Sequence, residues 1–203
     1  MTLRQAHRLN AYALGVFILL HLGNHLAMIA GPDAHVAAMG ALRAIYRPLA
    51  VEALILILFA VQAALGIALA WRRGRPDNAW GWAQLLSGLY MILFLLQHVP
   101  AVLMARFAEL DTDIRFAGAV VARLPDAAYF APYYILAVAA FFTHVAAALR
   151  FRIWPAAATP LQRAAPFVGA AFGALIVAGL LGVFGPYEIS DVYFTHLDAT
   201  LPW

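Results

Sequence analysis

The sequence predicts an all-α integral membrane protein, folded as a bundle of five transmembrane helices. Of its 203 residues, 65% are apolar and only 11% charged, whereas roughly half the residues of a soluble domain are apolar and about a quarter charged. Crossing a hydrocarbon core takes about 20 mostly apolar residues, and five windows meet that length. They are Leu9–Ala30, Leu49–Trp71, Gly81–Ala105, Phe130–Leu149 and Ala164–Gly185. Because the chain shows no internal repeat, residues 1–203 are predicted to form one domain.

Composition excludes several kinds of chemistry. The chain has no cysteine, so disulfides, thiolate-bound iron–sulfur clusters, covalently attached c-type haem and a cysteine nucleophile are ruled out. The net charge of +3 comes from arginines that flank the apolar windows, and it gives no indication of nucleic-acid binding. The first window follows a short polar start and lacks a small-residue cleavage site, so we expect it to remain as a span.

The arginines predict which side of the membrane each helix end faces. If the N-terminus lies inside, eight arginines fall on inner segments and five on outer ones, while Asp77 is the single acid inside. Arginine-rich short loops stay on the inner side of a membrane. We therefore expect the N-terminus inside and the C-terminus outside.

The links between the spans differ in length. The inner links, around Arg72–Asn78 and Trp154–Pro160, are short and should join antiparallel neighbours. The outer links are longer, and residues 106–129 mix charged and apolar residues in a way that predicts an amphipathic helix on the outer surface. Residues 186–203 form an external, aromatic and acidic tail.

Ionisable residues inside a membrane are costly and rare, so they are functional candidates. In this chain they are histidines. His21 and His25 lie on one face of the first span, His98 lies in the third and His144 in the fourth. We expect the histidines outside the spans to be ordinary surface residues; these are His7, His35 and His196.

Helix rise places these residues at two depths. At about 1.5 Å per residue, His25 and His98 share an outer level, while Gln62 and His144 share an inner level. A b-type haem needs a histidine from each of two helices at matching depth, and His25 with His98 meets that need. Hydrogen bonds between helices or a proton relay would use the same spacing, which therefore does not choose among them.

Three further residues are candidates for the site. Ser87 and Gly88 precede His98 by about three turns and could line a ring pocket. Glu52 lies near the outer end of the second span and is a candidate proton carrier for an outer site. Its alternative role is that of an interfacial carboxylate paired with Arg47 or Arg43.

The pattern as a whole resembles the single-chain, five-helix cytochrome b membrane anchor of succinate dehydrogenases and fumarate reductases. The similarity covers nearly the whole chain as short, spaced signatures. Gly15 and His25 in LGVFILLHLGNHL resemble the family's first helix, and Gln84 to Gly88 followed by His98 resembles its third. Tyr134 and His144 in YYILAVAAFFTHVAAALR resemble the fourth helix, and ALIVAGLLGVFG resembles the fifth.

This resemblance implies a haem b held by His25 and His98, with His21 as the alternative ligand. Family members typically hold a second, inner haem between the second and fourth helices, but Gln62 stands where that histidine is expected. Since a glutamine amide is a poor ligand for haem iron, we expect one haem and no conventional second one. His144 and Gln62 would then be free to hydrogen-bond a quinone near the inner face.

The resemblance also implies partners. An iron–sulfur subunit and a flavoprotein subunit would dock on the inner face of a bacterial-type inner membrane, and the dicarboxylate chemistry would belong to that complex. The chain itself would be a non-catalytic electron-transfer subunit, and association with further copies of itself is compatible with the sequence. Two other hypotheses stay open, a haem-free structural or quinone-binding scaffold and a small transporter or proton relay built on the histidines.

Overall fold

The computed structural model describes residues 1–152 and 158–201, and this part of the chain is entirely helical apart from its links. Five helices are long and apolar enough to cross a membrane, which confirms the prediction of five spans. In chain order the helices are α1 (Leu3–Leu26), α2 (Pro32–Tyr46), α3 (Leu49–Arg73), α4 (Ala79–Phe107), α5 (Ile114–Ala122), α6 (Asp126–Arg152), α7 (Pro160–Leu180) and α8 (Asp191–Thr200). The spans are α1, α3, α4, α6 and α7, and a short 3₁₀ turn, Ala27–Ala30, extends α1.

The spanning helices extend beyond the apolar windows because polar capping residues set their ends. Thr2 caps α1 together with Gln5, so this helix begins six residues before the predicted window. The side chain of Asn78 caps α4 by accepting a hydrogen bond from Gly81 N at 2.8 Å. At the other end of the chain, α7 ends at Leu180, five residues earlier than expected.

The tightest packing joins α6 to α7. A Cβ atom added at Gly169 would lie 2.8 Å from Ala139 Cα, and one added at Gly173 would lie 2.7 Å from Ile135 Cα. Both distances are too short for any side chain, so these two glycines allow the backbones to approach closely. They make α6 and α7 the most closely packed hairpin of the bundle.

The spans also form two helix pairs, α1 with α3 and α4 with α6, and these two pairs meet only loosely. α1 packs along α3, and α4 packs along α6, but α1 and α4 scarcely touch and α3 contacts α4 at few points. No residue of α3 is fully buried. Few contacts therefore hold the two pairs together, and His21 of α1 meets His98 of α4 across this boundary.

A compact cap covers one end of the bundle. Its core contains α5, which packs beneath α8 through Ile114, Val120, Tyr193 and Leu197. The sequence predicted an amphipathic helix on the outer surface in this link; the link does contain a helix, α5, and α6, α7 and α8 bury most of it. Asp113 caps the N-terminus of α5 by accepting a hydrogen bond from Arg115 N at 2.8 Å.

The links hold two further differences from the sequence analysis. The link 31–48 contains α2, a helix of 15 residues that the sequence analysis did not predict. Part of the predicted inner link Trp154–Pro160, residues 153–157, lies outside the described residues, as do residues 202–203 of the tail.

Candidate functional site

Four imidazole rings lie in contact near the capped end of the bundle. The ring of His21 lies 5.0 Å from that of His25 and 6.2 Å from that of His98, centre to centre. The ring of His25 stacks on that of His35 at 5.5 Å. We call these four residues the outer histidine cluster. It joins α1, α2 and α4, so the structure brings together His25 and His98, the predicted outer-level pair, and His21, the alternative ligand.

His35 is the member that sequence reasoning missed. Its exposed fraction is 1%, so the expectation that it would be a surface residue is wrong. Its Nε2 lies 3.1 Å from Asn24 Nδ2, and Asn24 is also buried. Burial lowers the pKa of His35 to about 4, although nearby Asp113 acts in the opposite direction. At neutral pH the ring is therefore uncharged.

Three buried polar atoms in this cluster have no hydrogen-bond partner among the described residues. They are Asn24 Oδ1, His25 Nδ1 and His35 Nδ1. Unpaired polar atoms inside a protein cost free energy unless water or a ligand satisfies them. The cluster is therefore a place where a small polar group or part of a larger ligand would be stabilised.

The separation of the His21 and His98 rings matches that of two imidazoles bound to one metal ion. Two imidazoles on opposite sides of one metal ion have ring centres roughly 6 Å apart, because each nitrogen binds at about 2.0–2.1 Å and lies about 1 Å from its ring centre. The rings of His21 and His98 are 6.2 Å apart and belong to helices that scarcely touch.

Aromatic side chains hold His98 in place. The ring of Phe94, one turn earlier on α4, stacks on His98 at 4.9 Å and on Tyr133 of α6 at 4.7 Å. The hydroxyl of Tyr133 donates to Phe94 O at 2.9 Å. This aromatic wall fixes the direction of the His98 ring, as a ligand residue requires.

A second polar region lies in the other half of the bundle. On the side of α1 and α3, Gln62 Oε1 accepts from Asn10 Nδ2 at 2.7 Å, and Gln62 Nε2 lies 3.0 Å from His7 Nε2. His7 is thus half-buried and engaged, not the ordinary surface residue that we expected. We call His7, Asn10 and Gln62, together with Ser87 and His144, the inner polar layer.

His144 belongs to the opposite helix pair. Its Nδ1 lies 3.0 Å from the carbonyl oxygen of Gln84 and 3.2 Å from the hydroxyl of Ser87. A carbonyl only accepts hydrogen bonds, so Nδ1 carries the proton and Nε2 has a free lone pair. A Cβ added at Gly88 would lie 3.1 Å from His144 Cε1, so this glycine makes room for the ring.

Gln62 and His144, which we expected to be free to hydrogen-bond a quinone, both have protein partners in the structure. Each bonds to its own neighbouring helix, Gln62 to α1 and His144 to α4. The Gln62 amide thus uses its oxygen on Asn10 and its nitrogen on His7. Its role in the structure is to orient Asn10 and His7.

Glu52 pairs with Arg106, not with Arg47 or Arg43 as the sequence analysis proposed. Two contacts join the carboxylate to the guanidinium, the longer at 3.2 Å, and they connect α3 to α4. Arg43 instead binds Asp111 at 2.7 Å, and Arg47 donates to Thr112 at 2.8 Å.

The ring of His196 is half-buried and lies 6.3 Å from that of Phe116 in the cap, away from both polar regions.

Among the described residues, no group of three or more histidines and carboxylates is arranged to hold a bare metal ion, whereas a b haem needs only two protein ligands. No protein-family model, curated protein or solved structure matches the chain significantly.

Proposed function

We propose that this chain is a membrane-anchor cytochrome b subunit of the succinate dehydrogenase and fumarate reductase type. In this role His98 and a histidine of α1, His21 or His25, bind one b haem between the two helix pairs. The observation that carries the proposal is the 6.2 Å separation of the His21 and His98 rings, on helices with little packing between them. When bound, the haem supplies a one-electron carrier within the membrane.

The protein residues have distinct tasks in this proposal. His98 and the histidine of α1 would hold the iron, and the Phe94–Tyr133 stack keeps the His98 ring at a fixed angle. A flat ring would lie between the helix pairs, which have few contacts with each other, and Gly15 would not obstruct it, since a Cβ there would meet no atom within 4 Å. The single-haem stoichiometry is supported by the occupied amide of Gln62.

The proposal includes partners and a location. The arginine-rich helix ends, with Arg72 and Arg73 in the last turn of α3 and Arg75 just after it, would face the cytoplasm of a bacterial-type cell. An iron–sulfur subunit, carrying a flavoprotein subunit, would dock there and exchange electrons with membrane quinone through the haem. Copurification of a succinate-oxidising or fumarate-reducing activity with the tagged chain tests this part, and purification of the chain alone from native membranes would argue against it.

The haem proposal is tested by the reduced-minus-oxidised spectrum of the detergent-purified protein, with haem quantified per chain. We expect about one low-spin b haem. His98→Ala should remove it, while His144→Ala should retain it. A wild-type protein that takes up no haem would overturn the proposal.

A second candidate function, a proton relay, is favoured by one observation. The rings of His98, His21, His25 and His35 form a continuous chain of contacts, as proton transfer between imidazoles requires. This function predicts proton flux through liposomes that contain the haem-free protein, and flux that His25→Ala abolishes. Liposomes without such flux would leave the cytochrome function alone.

A further inference from the structure

Two arginines meet at one hydroxyl near the capped end of the bundle. Arg43 Nη2 and Arg47 Nη2 donate to Thr112 Oγ1 at 3.2 and 2.8 Å. Arg43 lies in the last turn of α2 and Arg47 directly follows that helix, whereas Thr112 belongs to the link between α4 and α5. Because they share one acceptor, the two positive charges are held close together, which costs free energy unless negative charge lies beside them.

The nearby carboxylates balance only one of these charges. Arg43 forms a salt bridge with Asp111 at 2.7 Å. Arg47 has no carboxylate within salt-bridge distance in the part of the chain that the structure describes, and burial together with Arg43 lowers its pKa. The other arginines of the predicted outer segments each have such a partner; they are Arg106, Arg115 and Arg123. One positive charge is therefore left without a paired carboxylate.

Thr112 adds a hydrogen-bond donor at the same place. A threonine hydroxyl accepts through its oxygen and donates its proton. The oxygen of Thr112 receives the two guanidinium N–H groups, and the described residues provide no acceptor for the proton. Two guanidinium groups and one free hydroxyl proton suit an oxyanion, and the planar guanidinium group binds phosphate particularly well.

The surroundings favour a lipid over a dissolved anion. Arg47 lies two residues before α3, one of the five spans, and a long basic side chain at the end of a span reaches the level of the lipid headgroups. Arg43, Arg47 and Thr112 are all partly exposed. On α3, the side chains of Leu49 and Leu54 are 83% and 54% exposed. Acyl chains can therefore cover this helix while the phosphate of the same lipid reaches Arg47.

We propose that Arg43, Arg47 and Thr112 bind the phosphate of an anionic phospholipid whose acyl chains lie along α3. A headgroup with one net negative charge, such as phosphatidylglycerol, balances the one unpaired positive charge of the site. This inference goes beyond the proposed function, since it depends neither on haem nor on a partner subunit. The bound lipid would also connect the end of α2 to the link before α5, because both contribute donors to its phosphate.

The test is lipid binding by the purified full chain in detergent, measured by native mass spectrometry with dioleoylphosphatidylglycerol as the probe. Arg47→Gln should weaken binding at least about tenfold, because a charged hydrogen bond and the unpaired charge are lost together. Arg72→Gln is the matched control, since it removes the same charge at the opposite end of α3, and it should leave the dissociation constant within about twofold of the wild type. Equal weakening in the two variants would mean that net charge alone attracts the lipid, and it would overturn the inference.

Two competing probes distinguish this lipid from other ligands. Inorganic phosphate should displace it only at concentrations at least about tenfold higher, because phosphate makes no apolar contact with α3. Dioleoylphosphatidylcholine, whose choline cancels the charge of its phosphate, should also bind more weakly. Equal affinity for inorganic phosphate would overturn the assignment to a lipid, and equal affinity for phosphatidylcholine would overturn the assignment to an anionic headgroup.

Further variants separate binding from folding. Thr112→Ser keeps the hydroxyl and should bind as the wild type does, whereas Thr112→Val has nearly the same shape and should bind about fivefold more weakly. If Arg47→Gln does not fold, Arg47→Lys keeps the charge without the planar group and should weaken binding about threefold. Wild-type affinity in both Thr112→Val and Arg47→Lys would overturn the inference.

Discussion

The carboxylate of Glu52 on α3 is paired through two contacts with the guanidinium of Arg106 on α4. The side chains are 23% and 30% exposed, so water only partly screens the pair. It is one of the few direct connections between the two helix pairs, and its removal should therefore affect how they are held together.

Glu52→Gln should lower the free energy of unfolding in detergent by about 1–2 kcal/mol, a value between those of surface and buried ion pairs. Thermal unfolding of both single variants and the double variant Glu52→Gln, Arg106→Gln measures the coupling. If Glu52 were instead an essential proton carrier, Glu52→Gln would abolish quinone reduction while leaving stability unchanged, and the ion-pair interpretation would be wrong.

The identity of the α1 ligand can be decided by substitution. The ring spacing favours His21 as the partner of His98, whereas the family resemblance favours His25. We expect His21→Ala to lower haem occupancy by at least about tenfold, because an axial ligand has no substitute, and His25→Ala to retain most of it with a shifted spectrum. Loss of haem in His25→Ala with retention in His21→Ala would show that the resemblance identified the ligand correctly.

Gly173→Ala should destabilise the bundle by about 1–3 kcal/mol, the usual cost of overpacking. The added methyl would collide with the backbone of Ile135 at 2.7 Å, and backbone cannot move aside as a flexible side chain can. Gly40→Ala is the matched control, since a Cβ there has no atom within 4 Å and alanine is the better helix former. The unfolding midpoints of the two variants should move in opposite directions, and a midpoint of Gly173→Ala equal to that of the wild type would contradict the packing described for α6 and α7.

Tyr187 should make the cap sensitive to alkaline pH. Burial raises the pKa of Tyr187 to about 12, and its hydroxyl donates to Leu180 O. In the unfolded chain the phenol ionises near pH 10. The folded state therefore holds its proton longer, and the resulting stability, complete below pH 10, is lost as the pH rises from about 10 to 12.

Tyr187→Phe tests this pH dependence. At pH 8 the variant should be less stable by about 1 kcal/mol, the net value of one hydrogen bond. Its unfolding midpoint should then fall less steeply than that of the wild type between pH 9 and 11. Parallel curves for the two proteins over that range would contradict the assignment.

The spans were predictable because length and hydropathy determine them locally. The window Leu49–Trp71 ends two residues before α3 does, and the window Gly81–Ala105 falls two residues short of α4 at each end. What the sequence could not provide was the rotation of each helix about its axis. That rotation turns Gln62 toward His7 of α1, and it places His21 nearer to His98 than a depth calculation could indicate.

The outer links were harder to predict because their burial depends on distant parts of the chain. α5 is apolar on most sides, and whether such a helix lies on a membrane or inside a cap depends on α8, about 70 residues later. His35 shows the same difficulty. His35 precedes the buried Met39 by four residues, so the two side chains lie on one face of α2. This spacing was the available signal, but it could be recognised only if the link 31–48 was known to be helical.

The unequal packing of the spans bears on the order in which the chain matures. α6 and α7 interlock through glycines and need nothing from outside, so this hairpin should be complete soon after it leaves the insertion machinery. α1 and α3 have few direct contacts with the rest, and the histidines between the pairs supply nitrogen atoms but little packing. Binding of a ligand there would therefore be a late step of assembly. Once it is bound, the two helix pairs could no longer separate from each other within the membrane.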